Sequence, residues 1–105
     1  MFVLKLKLNG VIMFYKFYKI KEVKPKPDMK LLIQFENGIF KIYNVKQLLE
    51  KFKNFEALGD EILFNLVKID AHGYGVYWND YLDISCNELW HNGKEIDLKL
   101  SLIHI

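Results

Sequence analysis

Two Asn-Gly pairs constrain the fold of this chain more than any other feature of its sequence. Asn9-Gly10 and Asn37-Gly38 each separate two short runs of β-forming residues, and in the first of these runs apolar residues alternate with lysine. The runs are residues 2–8 and 11–17 around the first pair, and 31–35 and 39–43 around the second. An Asn-Gly pair in this setting favours a two-residue β-hairpin turn of type I′. We therefore expect antiparallel hairpins.

The second hairpin has a register that its hydrophobic pattern supports. With a two-residue loop at 37–38, Phe35 lies opposite Phe40 and Ile33 lies opposite Ile42. These four apolar side chains then share one face of the hairpin. The turn and the hydrophobic pattern thus predict the same register.

Three polar residues stand where helix N-caps belong. Asn44 and Ser85 are each followed three residues later by a residue that can complete a capping box, Gln47 and Glu88. Asp60 is expected to cap a third, shorter helical turn. After Asn44 comes an apolar stripe that we assign to the core: Val45, Leu48, Leu49 and Phe52. The helix after Ser85 is predicted over residues 86–92, ended by Gly93 in the αL conformation.

The other apolar runs predict strands. Residues 18–23 alternate and are followed by Pro25 and Pro27, which cannot donate to a ladder, so this strand is expected at a sheet edge. Further strands are predicted at 67–70, 74–78 and 81–84, with a tight turn at 79–80, and at 96–102. The fold class is therefore α+β: an antiparallel sheet built from hairpins with two or three short helices, ordered roughly βββα(α)βββα with flanking terminal strands.

The length of 105 residues indicates a single domain over residues 1–105. Two starts are open, Met1 and Met13, because the codons just before Met13 can form a ribosome-binding sequence. If Met13 is the start, residues 1–12 are a non-native extension. At the other end, residues 94–105 are expected to form a C-terminal strand.

The charge is unevenly distributed and argues against nucleic acid as a partner. Residues 1–30 carry eight lysines and two acids, whereas residues 31–105 carry seven lysines and eleven acids. The chain contains no arginine, the residue that binds phosphate and guanine bidentately. A weakly nucleic-acid-associated or regulatory domain is retained as an alternative function. It predicts salt-dependent binding through the lysines of the first 30 residues.

Cysteine use and hydropathy suggest the compartment. Cys86 is the single cysteine, so no internal disulfide is available, and a lone thiol fits a reducing compartment. The first residues lack the apolar core and cleavage site of a secretory signal. No stretch approaches the roughly 20 apolar residues of a membrane span. We expect a cytoplasmic protein that does not enter a membrane.

The sharpest enzymatic hypothesis is a metal-dependent hydrolase that uses His72, Asp80 and Asp83, because histidine and carboxylates are the usual groups for hydrolysis. Each residue also has a structural explanation. Asp80 suits a turn, Asp83 suits the solvent side of a strand, and His72 suits an exposed turn. Nothing in the spacing of histidine and cysteine indicates a metal site or a cofactor. We therefore expect a protein that is not an enzyme.

Aromatic residues are concentrated between positions 74 and 90. They are Tyr74, Tyr77, Trp78, Tyr81 and Trp90. Such a set either packs in the core or forms a binding surface, and the sequence leaves this open. The nearby acids Asp70, Asp80 and Asp83 oppose a polyanion. These five aromatic residues, with Asp80 and Asp83, are therefore the candidate contacts for a protein partner.

The residues of two segments resemble a known family. These segments, YKIKEVKPKPDMKLLIQFENGIFKIYNVKQLLEK and LFNLVKIDAHGYGVYWNDYLDISCNELWHNG, resemble the small bacterial domains of the domain of unknown function 2442 family. The resemblance covers about residues 18–93. It is most specific at Gly73-Tyr74-Gly75-Val76 and at Trp78, Asp80, Asp83, Ser85, Leu89 and Gly93.

The resemblance implies a stand-alone α+β domain with no established enzymatic activity. Many members are encoded beside a second small protein, an arrangement similar to a toxin–antitoxin pair in which this domain is antitoxin-like. The leading hypothesis is therefore a non-enzymatic interaction domain that binds a small toxin-like partner or a second copy of itself through edge strands.

Overall fold

The computed structural model describes residues 2–8 and 10–97. Within these ranges, nine strands and two short α-helices follow one another, with two 3₁₀ helices between the fifth strand and the first α-helix. In order they are β1 Phe2–Leu8, β2 Val11–Phe17, β3 Ile20–Lys26, β4 Lys30–Phe35, β5 Phe40–Asn44, the 3₁₀ helices Val45–Leu48 and Lys53–Gly59, α1 Glu61–Phe64, β6 Lys68–Ile69, β7 Gly75–Asn79, β8 Leu82–Ser85, α2 Cys86–Asn92 and β9 Lys94–Ile96. This order confirms the α+β prediction.

The strands form three antiparallel sheets: β1-β2, β3-β4-β5-β9 and β6-β7-β8. The first is the hairpin predicted around positions 9 and 10, with Leu8 paired to Val11 and Phe2 paired to Phe17. The predicted C-terminal strand begins as β9, and its continuation beyond residue 97 lies outside the described residues. Within the described residues, no helix is both long and apolar enough to cross a membrane.

The predicted register of the second hairpin is wrong by one residue. Gln34, not Phe35, faces Phe40. The loop has three residues, because Gly38 N donates to the Phe35 carbonyl at 2.9 Å and Phe35 N donates to the Ile39 carbonyl at 2.9 Å. Gly38 has a φ of 89°. Since a type I′ turn needs positive φ at both central residues and Asn37 does not have it, this loop is a type I turn followed by an αL glycine.

The corrected register decides what the four-stranded sheet buries. Leu31, Ile33, Phe35 and Tyr43 are all inaccessible to solvent. Phe40 and Ile42, which the prediction placed on one face with Ile33 and Phe35, are on the other face and are half-buried. The buried side chains of the described residues form one cluster that also includes Trp78, Leu82, Ile84 and Leu89.

Helix α2 has the bounds that the sequence predicts, but its ends are built differently. Ser85 Oγ accepts from Glu88 N at 3.1 Å, as a capping box requires. The Glu88 carboxylate instead accepts from Tyr43 Oη at 2.7 Å, which links α2 to β5. Gly93 is extended, with φ −79° and ψ 153°, so the predicted αL stop is wrong. A Cβ there would lie 2.4 Å from the Leu89 carbonyl oxygen, which explains the glycine.

The chain after Asn44 forms a 3₁₀ helix over Val45–Leu48 rather than a longer regular helix. Asn44 Oδ1 accepts from Lys46 N at 3.1 Å, so the predicted cap is present. Gln47 reaches back to the Asn44 carbonyl, not to its N–H. Val45 and Leu48 are buried as expected, but Phe52 is 50% exposed, which corrects its assignment to the core.

Candidate functional site

The two tryptophans of the predicted aromatic set are structural. Trp78 is 8% exposed, and its Nε1 donates to the Phe64 carbonyl at 2.9 Å. Trp90 stacks on Tyr18 with a centroid distance of 3.9 Å and an interplanar angle of 2°. The Lys41 ammonium lies 3.9 Å from the centre of the Trp90 ring and also donates to the Trp90 carbonyl. Both tryptophans therefore hold elements together and leave no ring face for a partner.

The tyrosines separate into a half-buried one and two exposed ones. Tyr74 is half-buried and meets the Phe17 ring edge-on at a centroid distance of 5.6 Å. Tyr77 is 37% exposed and Tyr81 is 85% exposed. The five aromatic residues thus do not form one surface, and the exposed part of the set is the pair Tyr77 and Tyr81.

Tyr81 projects from the turn between β7 and β8. The predicted turn at 79–80 lies one residue later, at 80–81, and Leu82 pairs with Asn79. Asn79 Oδ1 accepts from Tyr81 N at 2.9 Å, and Asn54 Nδ2 donates to the Tyr81 carbonyl at 2.9 Å. The backbone of Tyr81 is therefore fixed from two sides, while its ring stays in solvent.

Strand β8 is an edge of the three-stranded sheet and, among the described residues, pairs only with β7. Cys86 N donates to the Tyr74 carbonyl at 2.7 Å, so this pair is hydrogen-bonded. Antiparallel pairs alternate between hydrogen-bonded and non-hydrogen-bonded, so Ile84 with Val76 is hydrogen-bonded and Asp83 with Tyr77 is not. The backbone N–H and C=O of Asp83 therefore point away from β7, toward the free edge.

A groove of about 370 Å³ runs along that edge. One wall is β8 with the start of α2, and the other is the segment from Leu48 to Phe55. Phe52 and Tyr81, two of the exposed large apolar side chains of the described residues, both line the groove. The lining residues are Leu48, Phe52, Asn54, Phe55, Tyr81, Asp83, Ile84, Ser85 and Glu88. An apolar wall beside unpaired backbone groups is the geometry that accepts an added strand.

A second cleft, of about 440 Å³, lies on the outer face of the same sheet. Its lining includes the carboxylates of Asp70, Asp80 and Asp83 and the exposed ring of Tyr77. Asp70 Oδ1 accepts from His72 N at 3.0 Å and from Tyr74 N at 2.9 Å, which fixes its position. Asp83 lines both the groove and the cleft, so the two are adjacent.

The residues of the hydrolase hypothesis are only partly brought together. Asp80 and Asp83 line the outer cleft, but His72 is exposed in the preceding turn and is not among the lining residues. In the ranges 2–8 and 10–97, no three side chains of His, Cys, Asp or Glu are grouped so as to hold a metal ion. The carboxylates that do share the cleft are Asp70, Asp80 and Asp83.

Cys86 is buried at the first position of α2. Burial raises the pKa of its thiol above the ordinary value, because the thiolate is poorly solvated there, and this outweighs hydrogen bonds that favour the charged form. The Cys86 side chain is therefore a protonated thiol at neutral pH, which is less nucleophilic than a thiolate. This is expected of a small core side chain.

Glu88 connects the groove to the core. Tyr43, at the other end of its hydrogen bond, has a pKa raised above the ordinary value, mainly by burial and secondly by that bond to the carboxylate. The neutral phenol thus donates to Glu88 throughout the physiological range. This contact fixes the α2 wall of the groove against β5.

Phe52 and Asn54 are site residues that sequence reasoning missed. The apolar spacing with Leu48 assigned Phe52 to a helix stripe, whereas the chain leaves helical geometry before it. One signal was present: Phe52 is enclosed by Lys51 and Lys53, a setting typical of a surface position. Nothing in the sequence indicates that Asn54 donates to Tyr81, because 27 residues separate them.

Comparison with known proteins identifies a family and nothing finer. The family model described as protein of unknown function (DUF2442) matches residues 20–95, from the start of β3 to β9. No curated protein matches the chain. No solved structure matches it either. The matched span holds both the groove and the cleft and covers well over half of the chain, so this protein belongs to the DUF2442 family of proteins of unknown function.

Proposed function

We propose that the protein is a small non-enzymatic interaction domain that binds an extended segment of another protein by adding it as a strand beside β8. The observation that carries this proposal is the free edge at Asp83 beside a groove lined by the exposed side chains of Phe52 and Tyr81. Backbone hydrogen bonds would supply affinity, and the apolar wall would bury alternate side chains of the partner.

The partner is a protein rather than a nucleic acid. Asp70, Asp80 and Asp83 surround the exposed Tyr77, and carboxylates at this density repel a phosphate backbone. The family resemblance suggests a small toxin-like protein encoded nearby, with this domain in the antitoxin-like role. A second copy of the chain is the competing occupant of the same edge.

The test compares two double variants that each remove two exposed large apolar side chains. Phe52→Ala with Tyr81→Ala strips the groove, and Ile62→Ala with Leu66→Ala strips α1 and the residues after it. Ile62 is 78% exposed and Leu66 is 56% exposed, so the control is matched in exposure. Circular dichroism should show both variants folded, since none of the four side chains is buried.

A partner captured from the native host by the wild-type chain is then purified, and its binding to each variant is measured by calorimetry. We expect the groove variant to bind at least about tenfold more weakly and the α1 variant to bind as the wild type does. If a homodimer forms instead, its dissociation constant is the readout for the same pair. The proposal would be refuted if both variants weakened binding equally. It would also be refuted if the wild-type chain captured no partner and did not form a dimer.

A further inference from the structure

We infer that the segment bound along β8 carries a lysine or arginine directly opposite Asp83, with an apolar residue on each side of that cation. The inference rests on the proposed strand addition and specifies its partner. It follows from how side chains alternate in a sheet and from what lies on each side of the β8 edge.

The position of the basic residue is set by Asp83. Its backbone groups point to the free edge, so the partner residue facing it in the new ladder would be hydrogen-bonded to it. Directly opposite residues place their side chains on the same face of a sheet. Asp83 shares its face with Tyr77, its cross-strand partner on β7. The partner side chain at this position therefore enters the outer cleft.

The outer cleft is chemically suited to a cation with an aliphatic stem. Its lining contains the three carboxylates of Asp70, Asp80 and Asp83, and no lysine is among the lining residues. Lys68 on β6 is the cross-strand partner of Tyr77 on β7, so the two side chains are on the same face of the sheet. The Lys19 ammonium lies 5.5 Å from the centre of the Tyr74 ring, which also lines the cleft. Two lysines against three aspartates still leave a net negative charge, and the Tyr77 ring can cover the stem of a long basic side chain.

The neighbours of the basic residue point the other way, to the face that holds Leu82 and Ile84. Beside that face stands the apolar wall of Leu48, Phe52 and Phe55. In the bound segment, the residues just before and just after the cation would therefore be buried against this wall. Burial favours apolar side chains there, because a polar side chain would lose its hydration at a cost in free energy. The recognised pattern is apolar, basic, apolar, in an extended conformation.

Several stretches of the chain itself have this order of residue types, among them Leu4-Lys5-Leu6, Leu6-Lys7-Leu8 and Leu98-Lys99-Leu100. A second copy is thus one molecule that satisfies the chemistry, and it enters the test as an outcome. A homodimer that the lysine peptide described below dissociates, and the glutamate peptide does not, would support the inference with a second copy as the occupant.

The test uses two capped peptides, Thr-Val-Lys-Val-Thr and Thr-Val-Glu-Val-Thr, titrated into ¹⁵N-labelled full-length protein. We expect the lysine peptide to shift the amide signals of residues 81–85 and to bind about tenfold more tightly than the glutamate peptide. Asp83→Lys should reverse the preference. Glu61→Lys makes an equal charge change at an exposed residue of α1 and should leave the preference for the lysine peptide as in the wild type.

Three results would overturn the inference without deciding the proposed function, which the groove and α1 variants test separately. One is equal binding of both peptides, which would mean strand addition without charge selection. Another is a preference that persists unchanged in Asp83→Lys. The third is the absence of any shift at residues 81–85 with either peptide at millimolar concentration.

Discussion

Strands β3 and β8 both lie at sheet edges, but only β3 carries residues that prevent its exposed backbone from pairing with another strand. β3 has seven residues, of which four are charged and one is Pro25. Charges and proline are the usual devices that prevent an edge from pairing with another chain. β8 has four residues, one charge and no proline, and an exposed tyrosine precedes it. The difference teaches that this chain protects one edge and leaves the other open beside an apolar groove.

The largest effect should come from proline on the two sides of β8. Ile84→Pro removes the N–H that the register directs to Val76, together with a side chain that is 4% exposed. We expect the free energy of unfolding to fall by about 5 kcal/mol, which is comparable to the total stability of a domain of this size. Circular dichroism should then show no cooperative thermal unfolding.

Asp83→Pro is the matched substitution, because the N–H that it removes points to the free edge. It should keep a cooperative transition and lose partner binding, measured by calorimetry. If both proline variants unfold alike, or if Asp83→Pro binds normally, then the Asp83 backbone does not serve as a docking edge.

The next effect separates the buried aromatic residue of the β7–β8 hairpin from the exposed one. Trp78→Ala should destabilise the fold by about 3–5 kcal/mol, because it leaves a cavity and removes the indole N–H that donates to the Phe64 carbonyl. Tyr81→Ala should change the free energy of unfolding by about 0.5 kcal/mol or less while weakening partner binding. Urea denaturation of both variants provides the measurement, and similar losses would contradict the division into structural and binding residues.

A moderate effect is expected when the protected edge is opened. Lys24→Thr with Pro25→Thr gives β3 an N–H and β-forming side chains without touching a buried residue. The variant should self-associate in sedimentation at concentrations where the wild type does not. Pro27→Thr, in the loop after β3, is the control and should leave the sedimentation coefficient unchanged. A double variant that behaves like this control would show that proline and charge do not protect β3.

The smallest effect concerns the bond that joins the groove wall to the four-stranded sheet. Tyr43→Phe should cost about 1 kcal/mol at neutral pH, because Glu88 loses the phenol donor and retains that of Asn92. The folded state holds the phenol proton that the unfolded chain releases near pH 10, so above about pH 10 the unfolded state binds fewer protons and stability falls.

Denaturant titrations between pH 8 and pH 11 should show a smaller alkaline loss in Tyr43→Phe than in the wild type. Burial also raises the pKa of Cys86, which adds the same alkaline slope to both proteins. Tyr81→Phe, at a position 85% exposed, is the control and should follow the wild type. Identical slopes in all three proteins would mean that Tyr43 titrates alike in the folded and unfolded chains.

The sequence predicted the antiparallel α+β class, the first hairpin and the bounds of α2, because these depend on local signals. The register of β4 and β5 was wrong because Asn-Gly serves two loop types, and the core decided between them. Leu31, Ile33 and Phe35 all become buried with Tyr43 when the loop has three residues. A type I′ turn needs positive φ at two consecutive residues, and Asn37-Gly38 does not provide this. Asp28 and Met29 both have positive φ, although no Asn-Gly is present there.

The candidate site was predicted in part. Tyr77, Tyr81 and Asp83 are exposed as a binding role requires, and whether they bind a partner stays a prediction. Trp78 and Trp90 belong to the packing, because their partners Phe64, Phe35 and Tyr18 come from distant parts of the chain. The acids named from the sequence, Asp70, Asp80 and Asp83, do line one cleft, and the pairing of β6 with β7 places Asp70 there.

The sequence by itself determined the element types, the caps at Asn44, Asp60 and Ser85, and the protection of β3, since alternation, capping side chains and proline act over a few residues. Only the tertiary structure decided which strand kept a free edge beside a groove and which side chains line that groove. That outcome depends on contacts between segments far apart in the chain, such as the Asn54 amide on the Tyr81 carbonyl and the Phe52 ring across from β8. Burial is a property of the whole assembled core, so no local pattern contains it.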